Sequence, residues 1–169
     1  MFQLYIHKDK GLTDNLIDRC KRSGFKAMCL TVDTVVAGNR ERDHRWGFTT
    51  PPKLTLKSLL SFATHPMWSI NYLTHEKFQL ANVSHFTKKG SSIAKGVMEY
   101  INEQYDPKMN WQDAEYCIKR WGGPFAIKGV MSVEDAKRAV EIGASAIMLS
   151  NHGGRQLDGS RSPFDQLPA

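Results

Sequence analysis

The chain has 169 residues, a formal net charge of +6 and a hydrophobic fraction of 41%. This length and composition suit one folded domain and exclude an intrinsically disordered chain. The lysines and arginines are scattered, and no nucleic-acid-binding motif accompanies them, so the positive charge does not indicate a nucleic-acid partner. Anionic small-molecule ligands would account for part of it.

Cysteine usage argues against both a disulfide framework and a zinc site. Cys20, Cys29 and Cys117 are odd in number and far apart in the sequence. Cys29 and Cys117 sit in apolar patterns typical of core positions. The cysteine pattern therefore predicts no metal site. The sequence also shows no signal peptide and no run long enough to span a membrane, which predicts a reducing, cytoplasmic compartment.

The first 32 residues of the chain are predicted to form a strand, a helix and a second strand. Residues 2–6 alternate as in a strand, and a helix follows for which Thr13 is the predicted N-cap and Gly24 the C-terminal stop. Residues 27–32 are then typical of a buried strand.

The same unit returns twice near the C-terminus. Asn110 is the predicted cap of a helix that stops at a glycine pair before a strand at residues 125–128. Ser132 begins another helix, which ends at Gly143 before an apolar run at residues 144–149 with the composition of a buried parallel strand. Alternating strands and helices predict right-handed βαβ units and a parallel sheet.

One connection is far longer than the usual 2–6 residues or so of a βα loop. Residues 35–109 form a predicted insertion, with helices expected at residues 54–62 and 93–105 and an aromatic-rich run at residues 67–73. The insertion is either a lid packed on the scaffold or a surface that docks a membrane or an electron-accepting partner.

The most informative stretch is SNHGGRQLD, at residues 150–158, directly after the last predicted strand. His152 can exchange a proton near neutral pH, and Arg155 offers a planar fork that matches a carboxylate. The glycine pair between them lets a flat ligand approach the backbone. A solvated His and Arg in a strand-end turn is the alternative for these two residues taken alone.

Polar residues also lie at the C-terminal ends of the four predicted strands. They are Gln3 and Tyr5, Thr31 and Asp33, Lys128, and Ser150. In parallel α/β folds the loops after the strand C-termini carry the chemistry, so these side chains are expected to gather at one edge of the sheet. Each has an ordinary structural explanation when taken singly.

These motifs resemble those of the FMN-dependent α-hydroxy-acid oxidases and dehydrogenases, which include glycolate oxidase and the lactate and mandelate dehydrogenases. The resemblance spans residues 2–167 and implies an α/β fold in which the four strands are the third to sixth of a TIM (β/α)8 barrel. A complete barrel takes about 250 residues. The chain therefore resembles the middle of a longer enzyme, one domain over residues 1–169 that carries the insertion at 35–109.

The resemblance also implies a role for each site residue. His152 would be the catalytic base and Asp33 its partner. Substrate contacts fall on Tyr5, Arg40 and Arg155, and FMN contacts on Gln3, Thr31, Lys128 and Ser150.

The implied reaction is the oxidation of an L-2-hydroxy acid, lactate-like, to the 2-oxo acid. Electrons would pass to oxygen, a quinone or a cytochrome. The family also implies a homo-oligomer when the enzyme is complete, and a cytoplasmic location that is peripheral to the inner membrane if the insertion contacts a bilayer.

Two alternatives remain open. The family's first two and last two strands are absent from the sequence, and the last two hold the FMN phosphate; no Gly-x-Gly-x-x-Gly or P-loop replaces them. The chain would then be a truncated, non-catalytic half-barrel that cannot hold FMN by itself. A different barrel enzyme that binds phosphorylated ligands is the other alternative, and the contiguous motif at residues 150–158 argues against it.

Overall fold

A computed structural model describes residues 1–34, 38–39, 41–47, 55–75, 82 and 106–168. The chain divides into two compact units, Met1–Arg40 with Gln104–Ala169, and Glu41–Glu103. The domain arrangement expected from the sequence, one domain with an insertion at residues 35–109, stays a prediction.

The described elements follow one another in alternating order, apart from three consecutive helices in the second unit. In chain order they are β1 (Phe2–Leu4), α1 (Lys10–Arg22), β2 (Met28–Thr31), α2 (Glu41–Arg45), α3 (Leu56–Thr64), α4 (Pro66–Thr74), α5 (Trp111–Trp121), β3 (Phe125–Val130), α6 (Val133–Glu141), β4 (Ala146–Leu149), a 3-10 turn (His152–Gly154) and α7 (Pro163–Gln166).

The four strands form one parallel sheet in the order β1-β2-β3-β4. Each strand therefore lies beside the next one in sequence, which is the arrangement that successive right-handed βα units produce. The predicted parallel sheet is confirmed, and its strands all end at the same edge.

The core lies between this sheet and its helices. Its fully buried side chains come from both layers and are mostly apolar, chiefly Leu4, Leu12, Ile17, Met28, Leu30, Cys117, Phe125 and Ile127. All three cysteines are free and buried. Burial raises the pKa of Cys117 to about 11, so this thiol stays protonated and acts as a small apolar residue. No cluster of metal-binding side chains occurs among the described residues.

The helix caps agree with the sequence at two of three predicted positions. Asn110 and Ser132 cap α5 and α6. Thr13 was the wrong choice for α1, because the Asp9 side chain accepts the Leu12 N–H and starts the helix one turn earlier. Thr13 is instead buried inside the helix, where its hydroxyl accepts the His7 N–H at 3.2 Å.

Strand β4 differs from its predicted burial. Along the strand, exposed residues alternate with half-buried ones, and Ala146 and Met148 are on the exposed face. A parallel strand is buried on both faces only when layers cover both of them. In the described sheet β4 is an edge strand, and the face that carries Ala146 and Met148 has no covering layer.

The second unit is described through α2, α3 and α4, none of which contains a buried residue. Helix α3 confirms the predicted helix over residues 56–62, and α4 shows that the aromatic-rich run at 67–73 is helical. Phe62, Trp68 and Tyr72 stack in sequence, with successive ring centroids 5.3 Å apart. The predicted helix at 93–105 lies outside the described residues. None of the described helices has the length and apolar character needed to cross a bilayer.

Candidate active site

The site begins on the face of the sheet that carries Gln3, Thr31 and Lys128. Strand register places Thr31 beside Lys128, and side chains two residues apart on a strand share a face. The Gln3 side-chain amide donates to the Thr31 hydroxyl and to the Tyr5 hydroxyl, both at 2.8 Å. Thr31 is almost fully buried, so this bond satisfies a polar group that the core would otherwise isolate.

Asp33, two residues beyond β2, is the centre of the polar contacts. One carboxylate oxygen lies 2.9 Å from His152 Nδ1. The other lies 3.5 Å from Lys128 Nζ and accepts a hydrogen bond of 3.4 Å from the Ser150 hydroxyl. The Asp33 side chain is only 10% exposed, so it is held against β3 and the segment after β4 with little access to water.

The Asp33 contact defines which imidazole nitrogen can act as a base. An ionised carboxylate has no proton to donate, so Nδ1 of His152 must carry the hydrogen in this bond. Nε2 of the neutral ring then keeps its lone pair. The His152 side chain is 23% exposed, which leaves this nitrogen open to a ligand beside a well-held carboxylate.

His152 stands in a left-handed turn. Its φ is 60°, the one positive value for a non-glycine residue in the described part of the chain, and Gly153 and Gly154 follow with φ of 64° and 70°. Such backbone strain persists only where the surroundings impose it. Here the Asn151 side-chain oxygen accepts the N–H groups of both glycines, at 3.1 and 3.3 Å, and Ser150 Oγ accepts the His152 N–H at 3.1 Å.

Asn151 was not identified from the sequence, although a signal was available. Asparagine side chains often bind backbone groups two residues further on and so shape tight turns. An asparagine placed just before His-Gly-Gly fits this habit.

Gly129 was also missed. A Cβ added to it would lie 2.7 Å from the Asp33 Cβ, and its φ is 107°. A side chain at this position would push the carboxylate away from His152. Glycine inside a strand often marks such a close approach, so its place directly after Lys128 was the available signal.

The remaining predicted residues differ in how the structure places them. Arg155 follows His152 on the same short loop; it is exposed and makes no ion pair with the described residues. Arg40 lies outside the described residues. Cys29 lies on β2. Burial raises the pKa of its thiol; the positive charge of Lys128 opposes this rise, and the negative charge of Asp33 adds to it.

The arrangement has a definite chemical capacity. It combines an oriented imidazole, an ammonium group against the same carboxylate, and, three residues further along the chain, a guanidinium that has no ion pair among the described residues. Such a set can remove a proton from a bound anion and stabilise the negative charge that results. The role of each residue stays a prediction.

The family model described as FMN-dependent dehydrogenase matches residues 1–169. The chain is 40% identical to an L-lactate dehydrogenase of Serratia proteamaculans over 169 residues, 99% of this chain and 44% of that protein. It is 42% identical to an L-lactate oxidase of Nostoc sp. over 167 residues, 99% of this chain and 40% of that protein. The chain thus spans less than half the length of these relatives.

Among solved structures, the chain resembles the crystal structure of the monotopic membrane protein (S)-mandelate dehydrogenase. The TM-score is 0.87 at 33% identity, over 97% of this chain and 43% of that one. With the four-stranded parallel sheet, this likeness confirms the predicted partial (β/α)8 barrel.

Proposed function

Because the chain belongs to the family of FMN-dependent dehydrogenases, we propose that the full-length protein oxidises a lactate-like L-2-hydroxy acid to the 2-oxo acid. The observation that carries the proposal is the 2.9 Å contact between Asp33 and His152. His152 lies on the same short loop as Arg155. The names of the relatives support the substrate class, since they act on L-lactate.

The polar side chains on the open sheet face suit the ring of FMN. Gln3, Thr31 and Lys128 stand on adjacent strands and present an amide, a hydroxyl and an ammonium group, which match the hydrogen-bonding edge of a flavin. Ser150 adds a hydroxyl from the position directly after β4. FMN, when bound, accepts two electrons from the substrate. The ammonium of Lys128 would then stabilise negative charge at the ring edge.

His152 is the proposed base. With its Nδ1 hydrogen held by Asp33, Nε2 can take a proton from the hydroxy-acid carbon centre or its hydroxyl. Asp33 stabilises the imidazolium that forms, as the carboxylate of a catalytic triad does. The pair therefore provides both orientation and charge compensation.

Arg155 is the proposed carboxylate clamp. A guanidinium can bind both oxygens of a carboxylate at once, which fixes orientation as well as charge. Because Arg155 lies three residues after His152, one short loop would contact both the carboxylate and the reacting carbon of the substrate. Tyr5 and Arg40 are proposed as additional substrate contacts, and homo-oligomeric assembly of the complete protein stays a prediction.

A second proposal concerns α3 and α4, which we infer to be a peripheral membrane surface that brings the enzyme to a quinone-type acceptor. No residue of either helix is buried, and apolar side chains such as Leu56 and Leu73 are each 80% exposed. Apolar helices with aromatic residues are typical of interfacial segments. The solved (S)-mandelate dehydrogenase, a monotopic membrane protein, supports this inference.

The alternative is a half-barrel that binds FMN poorly by itself. Two observations favour it: the exposed face of β4, and the coverage of only 40–44% of the relatives. The described residues include polar side chains that could bind the ring edge of FMN, but they include no glycine-rich loop that could bind its phosphate.

His152→Gln should lower the rate of flavin reduction by L-lactate about 100- to 10,000-fold in the full-length protein, because the base is lost. FMN should stay bound, since the imidazole is not among its proposed contacts. Stopped-flow absorbance measures the rate, and His65→Gln, at an exposed histidine of the other unit, is the control. Reduction at the wild-type rate in His152→Gln would exclude this residue as the base.

Arg155→Lys should impair turnover strongly although it keeps the positive charge, because the bidentate fork is lost. The wild-type protein should prefer L-lactate to its methyl ester by about 10-fold or more, as expected for a charged hydrogen bond. Steady-state kinetics with both compounds measure this preference. Equal efficiency with acid and ester would rule out carboxylate recognition.

Leu56→Ser combined with Leu73→Ser should weaken binding of the full-length protein to phosphatidylglycerol vesicles, because the apolar contact area falls. Both side chains are 80% exposed, so folding should be unaffected. Cosedimentation with vesicles measures binding. The control is Phe164→Ser, which removes an 83% exposed side chain from the other unit; equal losses from both would contradict the membrane surface.

The isolated 169-residue chain should bind FMN weakly, since the sheet edge at β4 is unpaired and no phosphate loop is described. Fluorescence titration with FMN, compared with riboflavin, measures this directly. Similar weak binding of both is expected if only the ring is held. Tight, stoichiometric binding of FMN would refute the half-barrel alternative.

A further inference from the structure

The loop after β2 touches the loop after β4 at Gly38, five residues beyond Asp33. A Cβ built on Gly38 would lie 1.8 Å from the Arg155 carbonyl oxygen and 2.8 Å from its carbonyl carbon. It would also lie 3.0 Å from the Gln156 Cα. All three are backbone atoms, so no flexible side chain can move aside. The two loops can approach this closely only because residue 38 has no side chain.

We propose that Gly38 is a positioning residue that sets the place of the Arg155 guanidinium and thereby the affinity for a carboxylate substrate. The inference rests on the proposed function, in which Arg155 binds that carboxylate. The three atoms nearest to an added Gly38 Cβ belong to the backbone of Arg155 and Gln156. It acts through Arg155 and contributes no group to the chemistry.

The contact bears on Arg155 because the start of its loop is held in place. Asn151 binds the amides of Gly153 and Gly154, and the Arg155 N–H donates to the His152 carbonyl at 3.3 Å. His152 is itself held by Asp33. A push on the Arg155 carbonyl therefore cannot be relieved by moving the whole loop. It must shift Arg155 relative to His152, which changes the distance between the clamp and the base.

Space alone explains the glycine at this position. Gly38 is absent from the described residues with positive φ, whereas Gly153 and Gly154 are among them. Alanine can thus adopt the backbone conformation of residue 38, and Gly38→Ala introduces a collision without backbone strain. Gly159→Ala is the matched control, because no heavy atom of the described chain lies within 4 Å of its added Cβ and its φ is also outside the left-handed region.

The first test is steady-state kinetics of the full-length protein loaded with FMN. Gly38→Ala should lower kcat/KM for L-lactate about 10- to 100-fold, mainly through KM, because a displacement of about 1 Å is enough to misplace the substrate. The preference for L-lactate over its methyl ester should fall as well, with FMN retention unchanged. Gly159→Ala should keep wild-type values. A Gly38→Ala protein with an unchanged acid-to-ester preference would overturn the inference.

A double-mutant cycle tests whether Gly38 acts through Arg155. In an Arg155→Ala background, adding Gly38→Ala should change kcat/KM by no more than about twofold, because the group that it positions is already gone. Full additivity of the two losses would overturn the inference. If Arg155→Ala itself leaves the acid-to-ester preference intact, the proposed function fails and this inference fails with it. If Arg155→Ala removes the preference and Gly38→Ala does not, only this inference fails.

A measurement on the wild-type protein keeps the inference testable if Gly38→Ala does not fold. Saturating pyruvate, the 2-oxo acid that L-lactate would give, should slow hydrogen exchange at residues 38–39 as well as at Arg155, because coupling between sites is reciprocal. Methyl pyruvate, which lacks the charged carboxylate, should not protect residues 38–39. Protection at Arg155 without protection at residues 38–39 would overturn the inference.

Discussion

The site depends on one buried carboxylate. Asp33 lies at the end of β2 and contacts Lys128 from β3 and both Ser150 and His152 from the segment after β4. A carboxylate with little access to water is costly unless its oxygens are paired, so these contacts are a condition for keeping it there. The same pairing orients the imidazole and brings an ammonium group to the site. Three strand ends are thus tied together by a single side chain.

Close approach of backbones makes this pairing possible. Gly129 lets Asp33 stand against β3, and Gly38 lets the loop after β2 lie against the backbone of Arg155. A methyl group at either position would occupy space that backbone or the Asp33 side chain already fills. The absence of a side chain at Gly38 and at Gly129 therefore helps to position the polar groups of the site. Asn151 adds the complementary device, an oxygen that binds the amides of the left-handed turn around His152.

The two compact units have different surfaces. The sheet unit has a continuous apolar core, while the described helices of the other unit contain no buried residue and display stacked aromatic rings. The described sheet has four strands, and the chain spans 40–44% of the length of the two relatives that it matches. The side chains proposed for catalysis thus lie at one edge of the sheet, and exposed apolar side chains are frequent on α3 and α4. This difference between the two units is consistent with the proposal that α3 and α4 form a peripheral membrane surface.

The sequence by itself determined the alternation of the four strands with α1, α5 and α6, because apolar periodicity and polar caps are local properties of the chain. It also predicted the polar residues at the strand ends, since a polar group that follows a buried strand stands out without coordinates. It predicted the wrong cap for α1, Thr13 in place of Asp9, because either side chain can accept a backbone N–H. Nor could it show that Asp33 joins Lys128, Ser150 and His152, residues about 100 positions away in the chain. The roles of Gly38 and Gly129 came from the tertiary structure alone. The sequence does not distinguish a glycine that is needed to leave space for neighbouring atoms from one that is needed for a left-handed backbone; only the positions of those atoms do.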